Sequence, residues 1–185
     1  STYLWDHFDR NRFGDVNLII STGDLSADYL DFLVSMINVP LLYVPGNHDE
    51  SYLTHEPAGC DNIDGKLVTV GGIRILGFGG SQRYKTGPFQ HTESEMKRKA
   101  FFMKPRIWKN DGFDILVTHS PAYNLGDGKD DCHTGFKAFN QLLDKYQPKY
   151  FLHGHQHLSY GGQNRIITYH DTSIINTEGY YLFDF

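Results

Sequence analysis

Two short strings crowd ligand-type side chains into four residues each: Gly46-Asn47-His48-Asp49 and Gly154-His155-Gln156-His157. Gly23-Asp24 adds a carboxylate and His119 a further imidazole. Carboxylate, amide oxygen and imidazole together suit Mn, Fe, Zn or Ni. Thiolate is absent from the set, which argues against a structural zinc site. Glycine precedes three of the four segments and allows the tight backbone that turns a side chain inward. Each residue also has an ordinary reading. Asn47 after Gly46 suits a turn, Asp49 a cap, and Asp24 the opening of a helix.

The elements around these segments decide between the readings. Val16 to Ser21, Leu41 to Val44, Ile115 to Thr118 and Tyr150 to His153 are short runs rich in apolar residues, expected as buried strands. Each runs directly into one of the ligand segments. Ligands gather beyond the carboxyl ends of strands in α/β sheets, so four distant segments are expected to meet at one rim. Ser26 is expected to cap a helix whose Leu30, Leu33, Val34 and Ile37 form one apolar stripe, ended by Pro40. Ser1 and Thr2 are expected to cap an earlier helix bearing Leu4 and Phe8. Leu67 to Val70 and Ile73 to Phe78 flank Gly71-Gly72 as a hairpin. Thr92 to Lys109 is expected to be helical but interrupted at Pro105. Phe139, Leu142, Leu143 and Tyr146 mark a further helix, and Arg165 to Phe185 is read as three short strands. Alternating strands and helices, then a strand-rich end, fit two packed sheets flanked by helices.

The strings GD, GNHD, a strand-terminal His and GHQH, in this order from Gly23 to His157, resemble the calcineurin-like metallophosphoesterases, and the compact bacterial phosphodiesterases among them. The resemblance implies a four-layer α/β/β/α sandwich in one domain over residues 1–185. It implies two divalent metals, manganese favoured. Asp24 would bridge them, Asn47, His119 and His155 would complete one site, and His157 would join Asp24 on the other. His48 would face the scissile phosphate as stabiliser or general acid, with Asp49 orienting its ring. Two cations ~3.5–4 Å apart would hold a hydroxide that attacks phosphorus in line. The family pattern opens with a strand ending in Asp-x-His, which is not found here. Asp6-His7 is adjacent rather than spaced, and is read as a solvated helix face. The first strand is therefore expected to be missing, either from the sequence as given or by natural loss. A metal-dependent phosphate-ester hydrolase, with phosphodiesters slightly favoured, is the leading expectation. A non-catalytic interaction module with an incomplete metal site is the alternative.

The remaining features narrow the partners. A net charge of -5 argues against a broad nucleic-acid footprint but not against a small phosphorylated substrate, whose charge bound cations would offset. No apolar run approaches the ~20 residues that span a bilayer, so no membrane partner is expected. The only cysteines, Cys60 and Cys132, are read as free thiols in a reducing cytoplasm. Arg83 is a candidate for pairing with a substrate phosphate. Gly126 to His133 is read as an acidic surface loop, with a place beside the active site as the alternative; Lys97-Arg98-Lys99 is read as a solvated helix face, and His153 as a structural histidine facing away from the metals.

Overall fold

Branched and aromatic side chains on alternating strand positions sort the chain into layers. In the computed structural model, which describes residues 3–158 and 164–185, strand β1 (Ile19–Ser21) is followed by helix α2 (Ala27–Ile37) and strand β2 (Leu41–Tyr43). The short helix α1 (Tyr3–Asp6) precedes them; Ser1 and Thr2, its expected caps, lie outside the described residues. Strand β3 (Asp61–Asn62) completes a wholly parallel sheet of order β1-β2-β3. Ser26 caps α2 by accepting the Tyr29 N–H.

A second, mixed sheet has six strands. These are β4 (Lys66–Val70), β5 (Ile73–Phe78), β8 (Ile115–Thr118), β9 (Tyr150–His153), β10 (Ile166–Tyr169) and β11 (Thr172–Asn176). Their order is β10-β11-β9-β8-β5-β4, parallel in the middle and antiparallel at both margins. The hairpin between β4 and β5 pairs Val70 with Ile73 across Gly71-Gly72. Two-residue strands β6 (Ser81–Gln82) and β7 (Gln90–His91) pair beside it. Helices α3 (Glu93–Lys109) and α4 (Lys137–Tyr146) cover the outer face.

The period of two is visible in the packing. Leu41 and Tyr43 pack with Leu30 and Leu33 of α2, whereas Leu42 and Val44 point into the seam between the sheets. Across that seam lie Ile75, Ile115, Val117, Leu152 and Ile175. Their neighbours Leu76, Leu116, Phe151 and Ile174 face the other way, against Met96, Ile107, Phe139 and Leu143 of α3 and α4. Three apolar seams therefore separate four layers, as the α/β/β/α expectation requires.

Three elements differ from the sequence reading. Helix α1 ends at Asp6, short of Phe8, which packs outside it against Phe13 and Phe32. Helix α3 runs unbroken through Pro105. Proline there cannot donate to the Phe101 carbonyl, but both residues are exposed, so water can satisfy that oxygen. Buried Met96, Ala100, Met103 and Ile107 on the opposite face hold the helix on either side. The tail yields two strands rather than three. Phe183 and Phe185 instead set their rings 4.9 and 6.0 Å from that of Tyr150.

Candidate metal centre

Strands β1, β2, β8 and β9 all end toward one rim, and the segments leaving them interlock. Gly23 and Asp24 follow β1 with φ of +94° and +58°. Gly46 follows β2, and its backbone nitrogen lies so close to Gly23 that a side chain on either glycine would collide. A Cβ on Gly23 would strike Gly46 N, and one on Gly46 would strike the Asp24 carboxylate. Asp49 locks the junction, since its Oδ2 accepts the N–H groups of Gly46 (2.7 Å) and Asp24 (2.8 Å). The carboxyl is 4% exposed, and burial raises its pKa to about 6 against the opposing pull of those two donors. Asp24 Oδ1 in turn accepts the His48 N–H at 3.0 Å.

Four ligand-type atoms converge above this junction. His119 Nε2 lies 2.9 Å from Asn47 Oδ1, 3.1 Å from His155 Nδ1 and 3.5 Å from Asp24 Oδ2. Their outer partners fix which atoms carry protons. His119 Nδ1 lies 2.7 Å from the Thr22 carbonyl, and His155 Nε2 2.7 Å from the Cys132 carbonyl. A carbonyl oxygen only accepts, so each of these nitrogens carries the hydrogen. The tautomers assigned from these partners leave a lone pair on His119 Nε2 and another on His155 Nδ1. Tyr84 Oη accepts from Asn47 Nδ2 at 3.2 Å, which turns the amide oxygen inward. Carboxylate, amide oxygen and two imidazole lone pairs thus face one another.

That arrangement is repulsive without a cation and complementary with one. Ligands held roughly 2.0–2.2 Å from one ion lie about 3.0–3.4 Å apart, the spacing seen here. Burial, with the neighbouring imidazole adding to it, pushes His155 down to about 4, and burial likewise lowers the pKa of His119. Both rings are therefore neutral, the form that ligates. The donor set fits a borderline divalent ion.

The other expected site residues are placed as follows. His48 is exposed beside Asp24. Asp49 gives one carboxylate oxygen, Oδ2, to the two backbone N–H groups of the turn. His157 stands outside the Asp24–His119–His155 group, with Nδ1 2.8 Å from Glu178 Oε1. Arg83 Nη2 donates to both carboxylate oxygens of Glu95, at 2.8 and 3.0 Å. His153 is buried with its ring 5.5 Å from that of Phe151.

The loop from Gly126 to His133 is a correction. The surface reading gives way to its alternative: the loop is partly exposed but folds against the site. Cys132 supplies the carbonyl that orients His155, and the His133 ring lies 5.1 Å from the His155 ring. Gln156 donates to the His133 carbonyl, while Asp130 holds His133 Nδ1 at 2.8 Å. Tyr84 and Glu178 were also missed. Nothing in their local spacing signals a contact made only by the folded chain.

A family model described as calcineurin-like phosphoesterase matches residues 2–159. No curated protein matches the chain. Among solved structures, one crystal structure is 14% identical with a TM-score of 0.57, covering 82% of this chain. The chain spans 63% of that structure's length. The crystal structure of TT1561 of Thermus thermophilus is 15% identical with a TM-score of 0.53. That match covers 83% of this chain and 71% of TT1561. At these identities the likeness is one of fold.

Proposed function

The chain belongs to the calcineurin-like phosphoesterase family, and on that premise we propose that it is a metal-dependent hydrolase of small phosphate esters, with phosphodiesters favoured. The family supports phosphoester hydrolysis in general; the ester class, the number of ions and their identity are our reading. One observation carries it: the inward lone pairs of His119, His155 and Asn47 beside the Asp24 carboxylate.

Divalent cations, manganese favoured, would supply Lewis-acid charge and a nucleophilic hydroxide near neutral pH. Asp24, Asn47, His119 and His155 would hold one ion. Asp24 with His157 would serve a second, and the Glu178 carboxylate beside His157 Nδ1 would orient that ring. Asp49 holds Asp24 and the Gly46 turn in place through their N–H groups. His48, exposed beside Asp24, would donate a proton toward the departing oxygen. Arg83 would meet a phosphate with the guanidinium nitrogens that Glu95 does not engage, or by giving up Glu95. The half-open rim, with Asp24 and His48 reached by solvent, suits a small ester.

The test is manganese titration of turnover on bis(p-nitrophenyl) phosphate and p-nitrophenyl phosphate. His119→Ala is expected to abolish metal binding and turnover together. His48→Ala is expected to keep the metal and lower turnover by about 10²–10⁴-fold. Metal binding with no turnover on either ester would favour a non-catalytic module instead.

A further inference from the structure

Helix α3 places large apolar rings where a covering helix normally shows only polar groups. Phe101 is 60%, Phe102 69% and Trp108 85% exposed. The opposite face is already satisfied, since Met96, Ala100, Met103 and Ile107 are buried in the core. The outer rings therefore lie outside the core, on the part of the helix turned away from it. Phe101 and Phe102 touch edge to face, with centroids 6.1 Å apart.

The charge around them is one-sided. From Met96 to Lys109 the sequence has six basic residues and no carboxylate, in a chain whose net charge is -5. Lys99 is tied inward to Asp64 at 2.8 Å, and Lys97 lies 3.7 Å from Glu93, which with Glu95 occupies the first turn of the helix. Arg98, Lys104, Arg106 and Lys109 are exposed between and beside the rings. The Lys104 ammonium sits 4.8 Å from the centre of the Phe101 ring. Lys145 of α4 extends the basic margin along a groove of about 510 Å³ between the two helices.

We propose that this face of α3 docks the protein on an anionic phospholipid surface. Rings that enter the headgroup boundary, flanked by cations that meet its negative charge, are the two components of interfacial binding. No described helix is long and apolar enough to cross a membrane, and none is needed, because this face would lie in the surface plane. A single nucleic-acid strand fits less well. Strands are gripped in basic grooves whose rings stack with bases. Here the two most exposed rings, Phe102 and Trp108, stand outside the α3–α4 groove.

The test is sedimentation of the whole chain with phosphatidylserine–phosphatidylcholine vesicles and with pure phosphatidylcholine vesicles. Binding is expected to the anionic vesicles only and to weaken with salt. In a Trp5→Phe background, Trp108 emission is expected to shift to the blue on binding. Phe102→Ser with Trp108→Ser, and separately Arg98→Glu with Lys104→Glu, are each expected to reduce binding by about tenfold or more. These positions are exposed, so thermal melts of both variants are expected to match the parent. The proposal is overturned if anionic vesicles do not bind, if neutral vesicles bind equally, or if both variants bind as the parent does. It is also overturned if oligo(dT) displaces the vesicles at lower concentration, or if the variants abolish only a self-association seen without lipid.

Discussion

The neutral form of His119 follows from burial. A 0% exposed imidazole with one nitrogen committed to the Thr22 carbonyl has only its Nε2 lone pair left to offer. The surrounding contacts repeat that logic, because Cys132 and Tyr84 each hold the outward side of a ligand and leave the inward side for a cation. Tyr84→Phe removes one such contact while keeping the ring. Manganese affinity is expected to fall roughly 10-fold or more, read by calorimetric titration, with little change in the metal-free melting temperature. An unchanged affinity would mean that Asn47 needs no help in facing inward. Asp49 offers a second test. Asp49→Ala strands the N–H groups of Gly46 and Asp24 and is expected to cost about 2 kcal/mol or more in urea denaturation. Asp49→Asn keeps an accepting oxygen and is expected to recover most of that loss. Equal loss in both variants would point to the charge, and hence to the His48 ring, as what Asp49 serves.

At the scale of elements, α3 is stabilised by a reciprocal cap. Thr92 accepts the Glu95 N–H, and Glu95 accepts the Thr92 N–H at 2.7 Å. Thr92→Ala is therefore expected to cost about 1 kcal/mol, measured by chemical denaturation. The Thr92 N–H, followed by the Thr92 hydroxyl and Arg83, lowers the Glu95 pKa to about 2. Because the folded value lies below the unfolded one of about 4.3, the cap's full contribution is present above that pH and is lost as pH falls toward 2. A carboxyl carbon titration of Glu95 by NMR with a midpoint near 4 would contradict the cap. Local pattern made the strand ends, the α2 and α4 stripes and the β4–β5 hairpin legible, since each depends on residues a few positions apart. The unbroken α3 was not legible, because what holds it across Pro105 is Met96, Met103 and Ile107 packing on a sheet distant in sequence. The same holds for the Gly126–His133 loop, whose meaning lies in a carbonyl reaching His155 23 residues later.

For the whole molecule, the centre lies across the seam between the two sheets. Asp24 and Asn47 leave the three-stranded sheet, whereas His119 and His155 leave the six-stranded one. Polar contacts crossing at this rim include His119 to the Thr22 carbonyl, the Gly80 N–H to the Pro45 carbonyl at 2.8 Å, and the hydroxyls of Thr22 and Thr177 at 2.7 Å. A cation shared by all four ligands would join the layers from both sides, so its binding energy becomes folding energy for the pair of sheets. At a free metal concentration 100-fold above its Kd, linkage adds about 2.7 kcal/mol. For a chain of 185 residues that is a rise in Tm of roughly 5–11 °C, read by calorimetry with and without manganese. Removing a ligand from either sheet, Asp24→Ala or His155→Ala, is expected to abolish the rise alike. If Asp24→Ala kept the full rise, the ion would be held by the six-stranded sheet alone, and the two sheets would owe their contact to the apolar seam of Leu42, Val44, Ile115 and Leu152 without it.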